Sequence, residues 1–199
     1  EILYTGSIGG IMEAIFFLLI GAALFSQSWY VLGLYSEGRT MGLMVGGLGL
    51  LTLGTVMFGT SLTPNIITGN GTAELTAAIT TLIVLWSIYC IGVAGHGLWD
   101  FEDRAIGFYS AFLTVASLVV FIYITIAMGP GGAYGKLYST GVWLAMSAVP
   151  LVLTIIAAIT FFYLSFQFQL LRLVTGWFLL LGSIVITAVG LGIVATAIM

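Results

Sequence analysis

The sequence predicts an all-α integral membrane protein, built as a bundle of six transmembrane helices. Its composition is the first reason: 61% of the 199 residues are hydrophobic and only 6% are charged, whereas soluble domains carry charge on about a quarter of their residues. The mean hydropathy of +1.23 agrees with this class. The second reason is a series of six apolar stretches, each close to the roughly 20 residues that a helix needs to cross a bilayer.

Each span is bounded by short polar or glycine-rich segments. We expect the spans at residues 2–25, 41–62, 76–98, 107–128, 141–164 and 175–198. The first contains "GGIMEAIFFLL", the second is rich in glycine, and the third and fourth flank the charged turn "WDFEDRA". The fifth follows "GPGGAYGKLYST", and the sixth follows "SFQFQLLRLV". Because the connections are this short, we expect residues 1–199 to form a single transmembrane domain.

The scarcity of reactive and charged side chains excludes several functions. The net charge of −3 comes from few groups and includes no basic cluster, so we expect the lipid bilayer as a partner and no nucleic acid. With Cys90 and His96 as the only residues of their types, the chain offers no internal disulfide, metal cluster or Ser/His/Asp arrangement. We therefore expect no enzymatic activity, no cofactor and no metal.

The cations predict the orientation, because Lys and Arg in short loops favour the cytoplasmic side. Arg39, Arg104 and Arg172 fall in the first, third and fifth connections, and Lys136 falls in the fourth. This distribution predicts a multi-pass protein of the cell membrane with both termini outside. Asn70 begins an Asn-Gly-Thr triplet in the second connection, which is an N-glycosylation pattern that requires the outer face.

Two ionisable residues are candidates for a function within the membrane. Glu13 lies in the middle of the first span, where a carboxylate costs about 2.5 to 3.5 kcal/mol to insert unless it is neutralised, paired or hydrated. It suits either a pore or proton-linked role, or a neutral hydrogen-bonded carboxyl. His96 lies near the inner end of the third span and is a candidate for a response to pH. The alternative for His96 is a position among the lipid headgroups. Asp100, Glu102, Asp103 and Arg104 form a tight turn at the inner face, and we expect this turn to be a hydrated loop.

Glycines are concentrated inside the spans, with 27 in the chain. Small residues three or four positions apart let helix backbones approach closely in a membrane. We therefore expect glycine-rich faces, such as that of Gly42, Gly46 and Gly49, to mediate helix contacts, including contacts between copies of the chain.

Five short segments together resemble the AmiS/UreI family, the small urea and short-chain amide channels. They are "ILYTGS" in the first span, "MGLMVGGLGLL" in the second, "AIGFYSAF" in the fourth, "GVWLAMSA" in the fifth and "RLVTGWFLLL" at the sixth. Their order and spacing cover nearly the whole chain. The resemblance implies a hexameric ring in which each protomer has its own narrow pore for a small neutral solute.

The resemblance also implies which residues select the solute. Trp143 matches the first tryptophan of the family's WLAW segment, and Met146 stands where the second tryptophan is expected. Glu13 falls near a position where the family usually has asparagine. These three residues are the predicted pore residues.

Two other functions remain open at this stage. One is a succinate/acetate-type proton-coupled permease, although the chain lacks the NPAPLGL signature of that family and its arginines predict the opposite orientation. The other is a non-transporting structural subunit of a larger membrane complex.

Overall fold

The computed structural model describes residues 7–34, 37–62, 73–136, 139–166 and 168–198. These residues form six α-helices and no strand, and each helix is long and apolar enough to cross a membrane. The all-α class and the number of spans predicted from the sequence are confirmed for this part of the chain. The helices are α1 (Ser7–Leu32), α2 (Gly38–Leu62), α3 (Ala73–Trp99), α4 (Asp103–Met128), α5 (Thr140–Phe166) and α6 (Gln169–Ile198).

The helices extend into segments that the sequence assigned to connections, and α1 and α6 extend furthest. α1 continues to Leu32, beyond the expected end near residue 25, and α6 begins at Gln169 rather than near residue 175. The extension of α1 contains polar residues, but its hydroxyls bond within the helix: Ser26 Oγ donates to the carbonyl of Ala22 at 2.9 Å. Polar side chains satisfied in this way do not end a helix. The prediction that the first span ends at the polar segment "SQSWY" is therefore wrong.

A glycine ends α1, and an arginine of α6 caps it. Gly33 has φ +76°, and the N–H groups of Gly33 and Leu34 donate to carbonyls three and five residues earlier, each at 3.0 Å. This is the Schellman ending, which favours glycine in the left-handed conformation. Arg172 Nε donates to the carbonyl of Val31 at 2.8 Å, so a cation of α6 meets the negative end of the α1 dipole.

The helices form a closed ring in chain order. Each helix packs against its neighbours in the chain, and α6 packs against α1. The short connections make successive helices antiparallel, so α1, α3 and α5 end where α2, α4 and α6 begin. We call this the arginine end, because Arg39, Arg104 and Arg172 lie in the first turns of α2, α4 and α6. Lys136 lies at the opposite end, between α4 and α5.

The glycines of α2 contact α3 of the same chain. A Cβ added at Gly46 would lie 2.5 Å from Ala94 Cβ, and one added at Gly49 would lie 2.6 Å from Cys90 Cβ. Gly42 faces the backbone of Gly97. The expectation that this face also joins copies of the chain is therefore wrong for these three glycines, because α3 already covers them.

Large apolar side chains fill the interior of the ring. The outer faces of the helices are also apolar, as expected of surfaces that meet lipid; Leu43, Phe58 and Ile126, for example, are exposed. The largest fully buried side chains are those of Trp86, Tyr89, Phe16, Ile20, Leu24, Leu113, Ile124, Met128, Leu153, Ile156, Leu179 and Ile186.

Candidate functional site

A cavity lies at the arginine end, where all six helices meet. Its volume is about 90 Å³. This is room for several water molecules, because one water needs roughly 10 to 15 Å³ of such space. Each helix contributes at least one side chain to its wall. The lining residues are Gln27, Tyr30 and Val31 of α1, Met41 of α2, Val93 and His96 of α3, Asp103 and Ile106 of α4, Thr160, Tyr163 and Leu164 of α5, and Thr175 of α6.

The turn between α3 and α4 brings His96 and Asp103 together in the cavity wall. Asp100 has φ +54°, and its N–H donates to the carbonyl of His96 at 2.9 Å. Aspartate tolerates this left-handed conformation better than most residues, so the helix ends and the chain reverses within three residues. The prediction of a tight charged turn is confirmed. Asp100, Glu102 and Arg104 are exposed, as a hydrated loop requires. The prediction is wrong for Asp103, which is half-buried in the cavity wall because it contacts His96.

His96 makes two polar contacts through one nitrogen. Its Nδ1 lies 2.8 Å from the carbonyl oxygen of Phe101 and 3.0 Å from Asp103 Oδ1. Both partners are acceptors, so Nδ1 carries the proton and donates to them. The His96 side chain is 26% exposed and that of Asp103 is 41% exposed. The cavity wall thus contains one histidine-carboxylate pair at its more accessible part.

The deeper wall is polar and uncharged. Gln27 is only 6% exposed, and its Nε2 donates to the Tyr89 hydroxyl at 2.8 Å. Within the described part of the chain, Gln27 Oε1 and the Thr175 hydroxyl are buried without a hydrogen-bond partner. The Thr160 hydroxyl is also buried and interacts with the Tyr89 hydroxyl. Buried polar groups are normally paired, so two unpaired groups in the wall of one cavity mark it as a site for water or a polar ligand.

The sequence pattern does not single out Gln27, Thr160 or Thr175. Gln27 was placed in a connection, whereas the longer α1 carries it into the bundle. Threonines are common in transmembrane helices and usually bond to their own backbone, so Thr160 and Thr175 gave no distinctive pattern. Gln27 lies just after the apolar run of the first span, and a longer predicted span would have placed this glutamine inside the bundle.

The predicted pore residues do not line this cavity. Trp143 is half-buried between α4 and α5, and its Nε1 donates to the carbonyl of Thr125 at 3.2 Å. Met146 is buried in the core. Fourteen residues separate Met146 from Thr160 along α5, which is about 20 Å of helix. The structure therefore separates Trp143 and Met146 from His96, and their role in solute selection stays a prediction.

Two other predicted residues lie outside the described part. The backbone of Glu13 belongs to α1, but its side chain is outside the described residues, as is Asn70. Among the residues that are described, no three His, Cys, Asp or Glu side chains lie together as a metal site would require.

Comparison with known proteins adds no relative from which a site could be transferred. No family model, curated protein or solved structure matches the chain significantly.

Proposed function

We propose that the protein is a passive membrane channel for a small neutral solute, such as urea or a short-chain amide, with one route along the axis of each ring. The observation that carries this proposal is the cavity to which all six helices contribute. A cavity on the axis of a closed helix ring is a natural vestibule, because helix bundles build their ligand sites between facing helices.

The lining favours a neutral solute over an ion. Its deeper part carries an amide and two hydroxyls, and its ionisable groups, His96 and Asp103, contact each other. Removing water from an ion in such a place is costly without fixed charge to replace it. A small amide needs only a few hydrogen-bond partners in exchange for its water.

Conduction through this route requires side chains to move. Behind Gln27 lie Tyr89 and Trp86, both fully buried, with their rings 5.2 Å apart in an edge-on contact. We infer that these rings close the route in the described conformation and that thermal motion of the pair opens it. Trp143, near the other end of the bundle, remains the predicted second constriction.

We also propose that the chain is an AmiS/UreI-type protomer of a hexameric ring, with the arginine end in the cytoplasm and both termini outside. The order of the family-like segments supports the family, and the shared position of three arginines supports the orientation. Because Gly42, Gly46 and Gly49 contact α3, the contacts between copies must use another face. Native mass spectrometry in mild detergent should give six copies, and single-cysteine labelling at Glu102 should succeed only from the inner side.

Solute flux into proteoliposomes tests the function. Purified protein should speed urea and acetamide equilibration, with little saturation and no dependence on a proton gradient. Trp143→Ala should change the ratio of urea to acetamide flux while leaving assembly intact. Proton-coupled acetate uptake without amide flux would instead support the permease, and no flux of any of these solutes would support the structural subunit.

A further inference from the structure

We propose that the arginine-end cavity is a binding site for a small ligand with an N–H donor and a carbonyl acceptor, such as a primary amide, with Gln27 Oε1 accepting the donor. The inference deepens the proposed function, since it names the polarity of the ligand and the side chains that recognise it.

The orientation of the Gln27 amide determines this polarity. Its Nε2 donates to the Tyr89 hydroxyl at 2.8 Å, which leaves Oε1 as the unpartnered atom of a side chain that lines the cavity. A carbonyl oxygen only accepts hydrogen bonds. A ligand at this wall must therefore offer an N–H or O–H group, and a molecule with acceptors alone leaves Oε1 unpaired.

Two hydroxyls beside Gln27 complement the other half of an amide. Thr160 is 1% exposed and Thr175 is 2% exposed, and both line the cavity. The Thr160 hydroxyl interacts with the Tyr89 hydroxyl, whereas the Thr175 hydroxyl has no partner among the described side chains and backbone groups. Hydroxyls can donate as well as accept, so they can bind the ligand's carbonyl. The three groups come from α1, α5 and α6, and α6 is the neighbour of both other helices in the ring.

A ligand that pairs these groups replaces an unfavourable arrangement. A buried polar atom without a partner carries a desolvation cost, and the wall of this cavity contains two such atoms, Gln27 Oε1 and Thr175 Oγ1. Water can also occupy the cavity. A cavity that holds only water, however, would not bind an amide more tightly than a ketone of the same size. Discrimination between two solutes of matched size is therefore the signature of the proposed site.

Binding is tested with acetamide and acetone, which have similar size and both carry a carbonyl, while acetone has no N–H group. Saturation-transfer NMR on the purified full-length chain in detergent should give a clearly stronger signal for acetamide. Gln27→Leu should reduce the acetamide-to-acetone ratio to near one. Ser147→Ala is the matched control, because Ser147 is also a buried hydroxyl without a partner in the described region but does not line the cavity.

Gln27→Leu also loses the hydrogen bond to Tyr89 and could misfold. A second variant therefore tests the site without removing a bond. Thr175→Val keeps the shape of the side chain and breaks no bond seen in the structure, so it should fold and bind acetamide about five-fold more weakly, the effect of one lost hydrogen bond. Equal signals for acetamide and acetone in the wild type would overturn the proposal, as would unchanged acetamide binding in Thr175→Val.

The binding and flux measurements distinguish the proposed site from the proposed channel. Selective acetamide binding without flux in liposomes would retain this site and overturn the channel. Flux of acetamide with no preference over acetone in binding would retain the channel and overturn the site.

Discussion

Individual polar side chains in the core are paired across helices, and these pairs can be tested singly. Trp86 Nε1 donates to Ser117 Oγ at 3.1 Å, and both side chains are fully buried. Ser117→Ala leaves the indole N–H unpaired, so we expect a loss of about 1 kcal/mol in the free energy of unfolding. Thermal denaturation in detergent measures it.

Ser110→Ala is the control for this prediction. Ser110 is a fully buried serine of the same helix, but its Oγ donates to the carbonyl of Ile106 in its own helix. Its removal leaves no side chain unpaired, so the melting temperature should stay close to that of the wild type. Equal effects of the two substitutions would contradict the importance of the Trp86 bond.

The sequence pointed to one residue of the cavity wall and missed others for a physical reason. His96 was singled out because a histidine near a membrane boundary is unusual, and it does line the cavity. Gln27 and Thr175 were missed because an amide or hydroxyl becomes informative only when its neighbours are known. Whether such a group is paired depends on other helices, and periodicity along one helix does not contain that information.

Helices α2 and α3 are in close backbone contact. We therefore expect alanine substitutions at two glycines of α3 to differ strongly in their effect on stability. A Cβ added at Gly97 would lie 2.5 Å from the carbonyl oxygen of Gly38 and 3.0 Å from Gly42 Cα. Both neighbours are backbone atoms that cannot rotate away. Gly97→Ala should therefore destabilise the protein by about 1 to 3 kcal/mol, the usual cost of overpacking.

Gly92→Ala is the matched change in the same helix. A Cβ at Gly92 meets no atom within 4 Å, and alanine favours a helix over glycine by up to about 1 kcal/mol. This variant should be as stable as the wild type or more stable. The prediction fails if unfolding in SDS or heat ranks Gly97→Ala above Gly92→Ala.

The existence of the helices followed from apolar length, but their ends did not. Six apolar stretches predicted six spans, and the structure has six. The observed end of α1 and the observed start of α6 differ from the predicted ones because Ser26 bonds within its helix and Arg172 bonds to the end of α1. Such contacts keep polar residues inside helices, so composition alone makes both helices too short.

The ring and its cavity arise only from the whole molecule. The distribution of arginines predicted that Arg39, Arg104 and Arg172 share one end, and the alternation of helices agrees. The closure of the ring by α6 against α1 joins residues far apart in the chain, for example Arg172 and Val31. No pattern in the sequence indicated that this closure leaves a polar cavity at the arginine end.

If small amides cross the membrane through this cavity, blocking the cavity should stop their flux. In a Cys90→Ala background, Thr175→Cys places a thiol in the cavity wall, while Glu102→Cys places one on the exposed turn outside the lining. Modification with a charged methanethiosulfonate reagent should remove most of the acetamide flux from the Thr175→Cys protein and little from Glu102→Cys. Complete modification at position 175 with acetamide flux unchanged would contradict the account.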